Sequence, residues 1–178
     1  MELDIIPIGK FDKKILDALI KYLKARKHAM RVLKHAEMPE KAFNKFRKQY
    51  DAEIILEKFD RKHALFVTDK DLHMGGFNFV YGLGDPDGSA IVSTRRLRPE
   101  WYGETPKNRS KAAEVQFRKK LTDRFIKECM HEIGHMMGLK HCKNKIRGKP
   151  CAMTFSSNIH EVDAKSKELC KKCEKMLF

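Results

Sequence analysis

The sequence has no long hydrophobic run and no basic leader at its start. No stretch of the 178 residues approaches the roughly 18 consecutive apolar residues that a membrane-spanning helix requires. The opening decapeptide MELDIIPIGK carries Glu2 and Asp4, where a secretory signal carries basic residues. The usual signatures of membrane insertion and export are therefore missing, and we expect a cytoplasmic protein that makes no membrane contact.

Cysteine is absent before position 129, and the five cysteines that follow are an odd number. A disulfide framework is therefore not expected in a chain without an export signal. Four of the five resemble metal ligands, because Cys170 and Cys173 form a C-x-x-C pair while Cys142 and Cys151 lie close to a histidine cluster. A buried or redox-active Cys170–Cys173 pair is the alternative. Cys129 is left over.

Acidic residues are scarce relative to basic ones, with 24 Asp+Glu against 38 Lys+Arg and a formal net charge of +14. The hydrophobic content of 42% is nevertheless too high for a disordered chain. Basic runs at residues 95–98 and 143–149 make nucleic-acid binding a competing hypothesis. No nucleic-acid recognition motif accompanies these runs, so a nucleic-acid partner is not expected.

Two short functional motifs are also missing. The glycine-rich stretch from Gly82 to Gly88 neither matches G-x-G-x-x-G nor precedes a helix, and it is interpreted as a turn. No G-x-S-x-G sequence is present, so a serine hydrolase of the nucleophile-elbow type has no support.

No internal repeat, low-complexity tract or Gly/Ser linker divides the chain. We therefore expect one domain, residues 1–178, with an N-terminal lobe (1–138) and a C-terminal lobe (139–178). Apolar, β-rich runs predict five strands, at residues 2–8, 28–33, 64–68, 77–81 and 89–94. Apolar residues at helical spacing predict helices at 11–23, 38–54 and 110–137, which begin near Asp12, Pro39 and Ser110. Residues 95–109 are expected to be irregular, and the element order predicts an α/β fold with a mainly parallel sheet.

The strongest signal is a histidine cluster at the end of the third predicted helix, where the chain reads His131-Glu132-Ile133-Gly134-His135-Met136-Met137-Gly138-Leu139-Lys140-His141-Cys142. His131 and His135 are four residues apart, so on a helix both imidazoles project from one face and can reach a single zinc ion. Glu132 can reach a water on that metal. Gly138 falls where the helix must end, and the chain reversal there brings His141 back as a third ligand.

The preceding helix supports this placement. Apolar residues recur at helical spacing on the side away from the histidines, at Ile126, Met130, Ile133 and Met137. One face of the helix is therefore expected to pack in the core while the other faces the metal. An H-E-x-x-H sequence that arose by chance is the alternative, but the additional Gly138 and His141 make such a coincidence rare.

The motif H-E-x-x-H-x-x-G-x-x-H, extended by Cys142, by Cys151-Ala152-Met153 and by the later C-x-x-C, resembles the archaemetzincins among the metzincin zinc peptidases. The resemblance implies a catalytic zinc bound by His131, His135 and His141. It implies that Glu132 is the general base and that Met153 forms the Met-turn under the metal. It also implies a second, structural zinc, and thus two per chain, with the ligands Cys142, Cys151, Cys170 and Cys173.

The family fold implied by this resemblance is metzincin-like, a class α/β (α+β) architecture. It has a five-stranded mixed twisted sheet with a backing helix and an active-site helix, and a small C-terminal lobe held by the four-cysteine zinc. Two departures are visible. Eight residues separate Cys142 from Cys151, where the family pattern usually has about four. Phe155 stands where some other metzincins have a tyrosine.

The expected activity is hydrolysis of peptide bonds by a zinc-activated water, with Glu132 as the base and a peptide or protein as the partner. The peptide is expected to add as a strand along the edge at residues 77–82, with residues 154–158 as a wall of the pocket. An ordinary strand is the alternative for residues 77–82. The competing function is a zinc-stabilised protein without peptidase activity that binds peptides or nucleic acid. A monomer is expected.

Overall fold

The computed structural model describes residues 2–86, 88–104 and 110–177. Within them the strands are β1 (Leu3–Pro7), β2 (Met30–Val32), β3 (Phe43–Asn44), β4 (Gln49–Asp51), β5 (Ala64–Thr68), β6 (Leu72–Met74), β7 (Phe77–Val80), β8 (Gly82–Gly84), β9 (Ser89–Ser93), β10 (Lys145–Ile146) and β11 (Lys149–Pro150). The helices are α1 (Lys13–Ala25), α2 (Ala52–Phe59), α3 (Lys111–Met136), α4 (Ile159–Ala164) and α5 (Lys171–Leu177). Short 3₁₀ helices occupy Glu40–Ala42, Arg95–Leu97 and Pro99–Tyr102.

The central layer is a five-stranded sheet in the order β2-β1-β5-β9-β8. Strands β2, β1, β5 and β9 are parallel to one another, and β8 pairs antiparallel with β9 at one edge. Every residue of β1, β5 and β9 is buried, as expected for parallel strands covered on both faces. The prediction of a mixed α/β fold around a five-stranded sheet is confirmed.

Alternating side chains of the central strands point into two separate cores, because successive residues of a strand face opposite sides of the sheet. Leu65 and Val67 of β5 join the larger core with α1 and α3. Phe66, between them, joins the smaller core with α2. The active-site helix predicted from the histidine motif is therefore fixed against the same sheet face as the backing helix α1.

Both predicted helix caps are present. Asp12 accepts a hydrogen bond from the Lys14 backbone N–H at the start of α1. Ser110 accepts one from the Ala113 backbone N–H at the start of α3. These side chains satisfy amide groups that have no partner within the first helical turn, so local sequence fixes where each helix begins.

The predicted helix over residues 38–54 is wrong. Pro39 precedes a single 3₁₀ turn, the chain then forms the hairpin β3–β4, and α2 begins only after Asp51. Asp51 accepts hydrogen bonds from two backbone N–H groups at the start of α2. Tyr50 packs against Phe43 across the hairpin, with ring centroids 4.9 Å apart, and pairs with Leu72 of β6. The aromatic residues whose spacing predicted one helix instead pack against each other across two paired strands.

The predicted strand at residues 77–81 and the predicted turn from Gly82 need a correction. Strand β7 ends a four-stranded sheet of order β3-β4-β6-β7, and the fifth strand of the main sheet is β8. Gly82, Leu83 and Gly84 therefore lie in a strand, and the turn begins after Gly84. The segment 95–109, predicted to be irregular, contains the 3₁₀ helices Arg95–Leu97 and Pro99–Tyr102. Residues 105–109 lie outside the described part of the chain.

None of the helices in the described ranges combines the length and the hydrophobicity needed to cross a bilayer.

Candidate metal centres and catalytic cleft

Three histidines meet at the C-terminal end of α3. One ring nitrogen each from His131, His135 and His141 lies within 4.8 Å of the other two. The helix ends in a turn in which Gly138 has φ of +84°. The Gly138 N–H donates to the His135 carbonyl, and the Leu139 N–H donates to the Gly134 carbonyl. This pair of hydrogen bonds is the Schellman motif, which favours glycine at the left-handed position. The local turn therefore explains how the third histidine returns to the first two.

The hydrogen bonds of the histidines orient their lone pairs toward a common point. Nδ1 of His131 lies 2.8 Å from the Ala152 carbonyl oxygen, and Nδ1 of His135 lies 2.7 Å from the Leu139 carbonyl oxygen. A carbonyl only accepts, so each Nδ1 carries the proton and each Nε2 of the neutral ring is a bare lone pair. The two Nε2 atoms are 3.1 Å apart.

Two lone pairs at that distance repel unless a cation lies between them. Nitrogen ligands about 2.0–2.1 Å from a tetrahedral zinc lie about 3.3 Å apart, close to the separation found here. Burial also lowers the pKa of His131, His135 and His141, so the rings are neutral and able to bind a metal at neutral pH. Distances, tautomers and charge state all fit a metal ion at this point.

Met153 lies directly under the histidine helix. A Cβ placed on Gly134 would collide with the Met153 sulfur, so only glycine allows this contact. The Met153 carbonyl accepts a hydrogen bond from the Cys142 backbone N–H at 2.9 Å, which ties this turn to the residue after His141. The Met153 side chain therefore packs against α3 beside His135, and its role as the Met-turn stays a prediction.

Strand β8 packs against the same helix at unusually close range. A Cβ on Gly82 would lie 2.7 Å from Glu132 Cγ, and one on Gly84 would lie 2.9 Å from His135 Cβ. Both glycines face the helix because they are two residues apart in a strand. Sequence reasoning missed their role, although a G-x-G repeat at strand spacing is a signal for close backbone approach.

The Glu132 carboxyl group is enclosed between α3 and β8. Burial raises its pKa to about 8, and the nearby Glu128 carboxylate acts in the same direction. The ammonium of Lys165 and a hydrogen bond from the Gly84 backbone N–H oppose this rise. The carboxyl group can therefore both accept and release a proton near neutral pH.

A second candidate metal centre is formed by four cysteines, all of them free thiols. Sγ of Cys142 lies 3.7 Å from Sγ of Cys170, and Sγ of Cys151 lies 3.9 Å from Sγ of Cys173. Thiolates about 2.3 Å from a tetrahedral zinc lie about 3.8 Å apart, so the spacing fits that metal. For Cys170, burial opposes ionisation, but hydrogen bonds led by the Cys173 backbone N–H outweigh it and lower the pKa.

The long spacing between Cys142 and Cys151 is accommodated by the hairpin β10–β11. Its two turn residues, Arg147 and Gly148, have φ of +46° and +81°, as a type I′ turn requires. The Cys151 backbone N–H then donates to the Asn144 carbonyl at 2.9 Å and closes the loop. The insertion therefore projects outward and leaves the four sulfur atoms together.

A cleft of about 540 Å³ runs beside the histidines. Strands β7 and β8 form one side, and Phe155, Ser156 and Ser157 form another. The two segments singled out in the sequence, 77–82 and 154–158, thus contribute to one cavity. Phe155 has no hydroxyl, and its ring centroid lies 5.2 Å from that of His141.

Comparisons with known proteins agree along the whole chain. The family model described as Peptidase family M54 matches residues 2–178. The archaemetzincin of Methanocaldococcus jannaschii is 36% identical over 180 residues, covering 99% of this chain and 93% of that protein. The archaemetzincin of Pyrococcus furiosus is 34% identical, covering 97% and 90%.

Solved structures give the same result. The crystal structure of archaemetzincin from Archaeoglobus fulgidus, complexed with malonate, has a TM-score of 0.80 at 30% identity and covers 99% of both chains. That from Methanopyrus kandleri has a TM-score of 0.77 at 31% identity, covering 99% of this chain and 93% of the other.

The mixed sheet, the histidine cluster on its covering helix and these matches together define a zinc metallopeptidase of the metzincin type. The chain belongs to Peptidase family M54, the family of the archaemetzincins.

Proposed function

We propose that His131, His135 and His141 bind a catalytic zinc ion and that the chain hydrolyses peptide bonds there, with Glu132 as the general base. The observation that supports this most directly is the pair of Nε2 lone pairs 3.1 Å apart, each oriented by a carbonyl on the other ring nitrogen. Zinc bound there would supply an acidified water and polarise the peptide carbonyl.

Glu132 takes the proton of the attacking water and delivers it to the leaving nitrogen. Its burial supports this role, because burial disfavours the ionised carboxylate and so favours uptake of the proton. The hydrogen bond from the Gly84 N–H fixes the carboxyl group beside the histidines. Glu132 therefore moves the proton while the imidazoles remain neutral.

The substrate is a peptide that adds as an extended strand along β8. This strand ends the sheet, pairing with β9 on one side, and it borders the cleft that contains the histidines. An extended peptide has its own row of backbone donors and acceptors that such an edge can pair with. Apolar side chains of β7 then contact the side chains of the peptide.

The four cysteines bind a second, structural zinc ion. Their sulfur separations and the absence of disulfides support this assignment. The metal joins the segment after His141, the Met153 turn and α5, and so holds residues 139–178 as a C-terminal lobe. Its binding free energy is on the order of 10 kcal/mol, comparable to the stability of a whole domain.

Metal analysis together with peptide cleavage tests the proposal. We expect two zinc ions per chain in the natural protein and in Glu132→Ala, and one fewer in His131→Ala. Cleavage of a peptide library is expected to be sensitive to chelators and to be lost in Glu132→Ala. Full turnover by zinc-loaded Glu132→Ala would exclude Glu132 as the base. A zinc-loaded natural protein that cleaves no peptide but binds duplex DNA would favour the competing function.

A further inference from the structure

We propose that Glu128, backed by Lys165, forms a polar subsite in the cleft that selects a substrate side chain able to donate hydrogen bonds. The inference rests on the proposed function, because it concerns the peptide that this cleft accepts. It assigns a specificity-determining role to two residues that the zinc chemistry does not use.

Glu128 lies on α3 one helical turn before His131 and Glu132, on the same face of the helix, and it lines the cleft. Its side chain is only 4% exposed. Lys165 follows α4, is 1% exposed, and places its Nζ 2.7 Å from Glu128 Oε1. Lys165 does not line the cleft and contacts the buried Oε1, so only the remaining part of the Glu128 carboxylate can reach the cleft.

The Glu128 carboxylate has unused hydrogen-bonding capacity. Its buried Oε1 contacts Lys165 Nζ as an ion pair, and within the described part of the chain the carboxylate has no other ion pair or hydrogen bond. The buried Oγ of Ser156, another residue that lines the cleft, has no hydrogen-bond partner in the described part of the chain. A carboxylate can accept about four hydrogen bonds, and leaving buried polar atoms unpaired is costly. A hydrogen-bond donor that enters the cleft would pair with the Glu128 carboxylate.

The Glu128 carboxylate determines which substrate side chain fits this part of the cleft. A carboxylate only accepts hydrogen bonds, so a side chain with an amide or ammonium group complements Glu128. An aliphatic side chain would leave the carboxylate unpaired, and sites built to hydrogen-bond a ligand reject such analogues strongly. A carboxylate side chain would be repelled by Glu128. The order expected is therefore Gln and Lys above Leu, with Glu last.

Four peptides that differ at one position, as Gln, Lys, Leu or Glu, test this order. The position is moved across the residues on each side of the cleaved bond, and binding to the zinc-loaded Glu132→Ala chain is measured by calorimetry. We expect one position at which Gln and Lys bind about tenfold or more tightly than Leu. Equal binding of the four peptides at every position, or tightest binding of Leu, would overturn the proposal.

Paired substitutions separate selectivity from a purely structural ion pair. Glu128→Leu with Lys165→Met removes both charges, so no lone buried charge remains, and it should invert the preference to Leu. Glu128→Lys with Lys165→Glu turns an ammonium toward the cleft and should favour Glu. Lys127→Met is the matched control, because its buried ammonium on the neighbouring helix position contacts Asp123 and the Asp163 carbonyl instead.

A purely structural pair would lower the melting temperature in both double variants and leave the order of the four peptides unchanged, which contradicts the proposal. If the exchanged pair does not fold, the apolar pair decides alone. Selective binding by Glu132→Ala, combined with no cleavage by the zinc-loaded natural protein, would count against the peptidase function and leave the subsite supported, so the two failures are distinguishable.

Discussion

Gly84 has no side chain and so allows β8 to lie very close to α3. Gly84→Ala tests whether this close packing is needed. The new Cβ would lie 2.5 Å from the Glu132 carbonyl oxygen and 2.9 Å from His135 Cβ. Both atoms belong to the rigid part of α3, so a flexible side chain cannot move aside to make room. The strand and the helix must separate, and the Gly84 N–H then loses its hydrogen bond to the Glu132 carboxyl group.

The expected cost can be estimated from overpacking. Inserting one methyl group into a packed site costs about 1–3 kcal/mol. For a chain of this length each kcal/mol lowers the melting temperature by about 2–4 °C, so a decrease of about 2–12 °C is expected. A shift of Glu132 by about 1 Å should lower kcat about 100-fold. Differential scanning calorimetry and peptide hydrolysis with constant zinc loading measure the two effects.

Gly75→Ala is the matched control for this prediction. Its added Cβ would lie 3.5 Å from a Glu53 carboxylate oxygen, an ordinary contact, and its backbone is outside the left-handed region. We expect a stability change within about 0.5 kcal/mol and unchanged kcat. If Gly84→Ala melts and turns over like Gly75→Ala, the close packing of β8 on α3 does not position Glu132, and the argument is refuted.

Three further predictions concern stability and metal binding. Burial of Asp163 opposes its ionisation, but the 1%-exposed Arg124 outweighs burial and lowers the pKa. Because this carboxyl group is more acidic in the folded state, its contribution is present above the unfolded pKa and lost as pH falls through the folded one. Asp163→Asn should therefore cost about 2 kcal/mol in urea unfolding at pH 7, and the cost should decrease as pH is lowered below the unfolded pKa; a cost that does not change with pH would contradict this. Cys170→Ser should remove the structural zinc, seen as lower metal content and a large fall in melting temperature, whereas buried Cys129→Ser should leave metal content unchanged. Gly148→Val should destabilise the β10–β11 hairpin by about 1 kcal/mol with two zinc ions retained; loss of zinc would show that the hairpin shapes the cysteine site.

The parts of the protein that the sequence predicts correctly depend on neighbours along the chain. Asp12 and Ser110 cap helices through backbone groups two or three residues away. His131 and His135 share a helix face because they are four residues apart, and Gly138 permits the turn that follows. Each of these relations is contained within one or two helical turns, so residue type and spacing are enough to predict it.

The errors arise where pairing partners lie far apart in sequence. Phe43 and Tyr50 have the spacing of a helix, but they face each other in a hairpin that pairs with β6 some twenty residues later in the chain. The stretch from Gly82 to Gly84 has the composition of a turn, yet it forms a strand because its missing side chains fit against α3. These contacts join residues that are far apart in sequence, so secondary structure predicted from local propensity was overridden by tertiary packing.

The histidine cluster and its chain reversal were determined by the sequence itself, because one helical turn and one glycine turn set the relative positions of the three histidines. The tertiary structure alone decided that β8 encloses Glu132 and that Lys165 lies behind Glu128. Those groups come from separate elements, and only the packing of α3 against the sheet and the C-terminal segment brings them within contact distance. The sequence thus specified the candidate metal ligands, and the fold specified the environment around them.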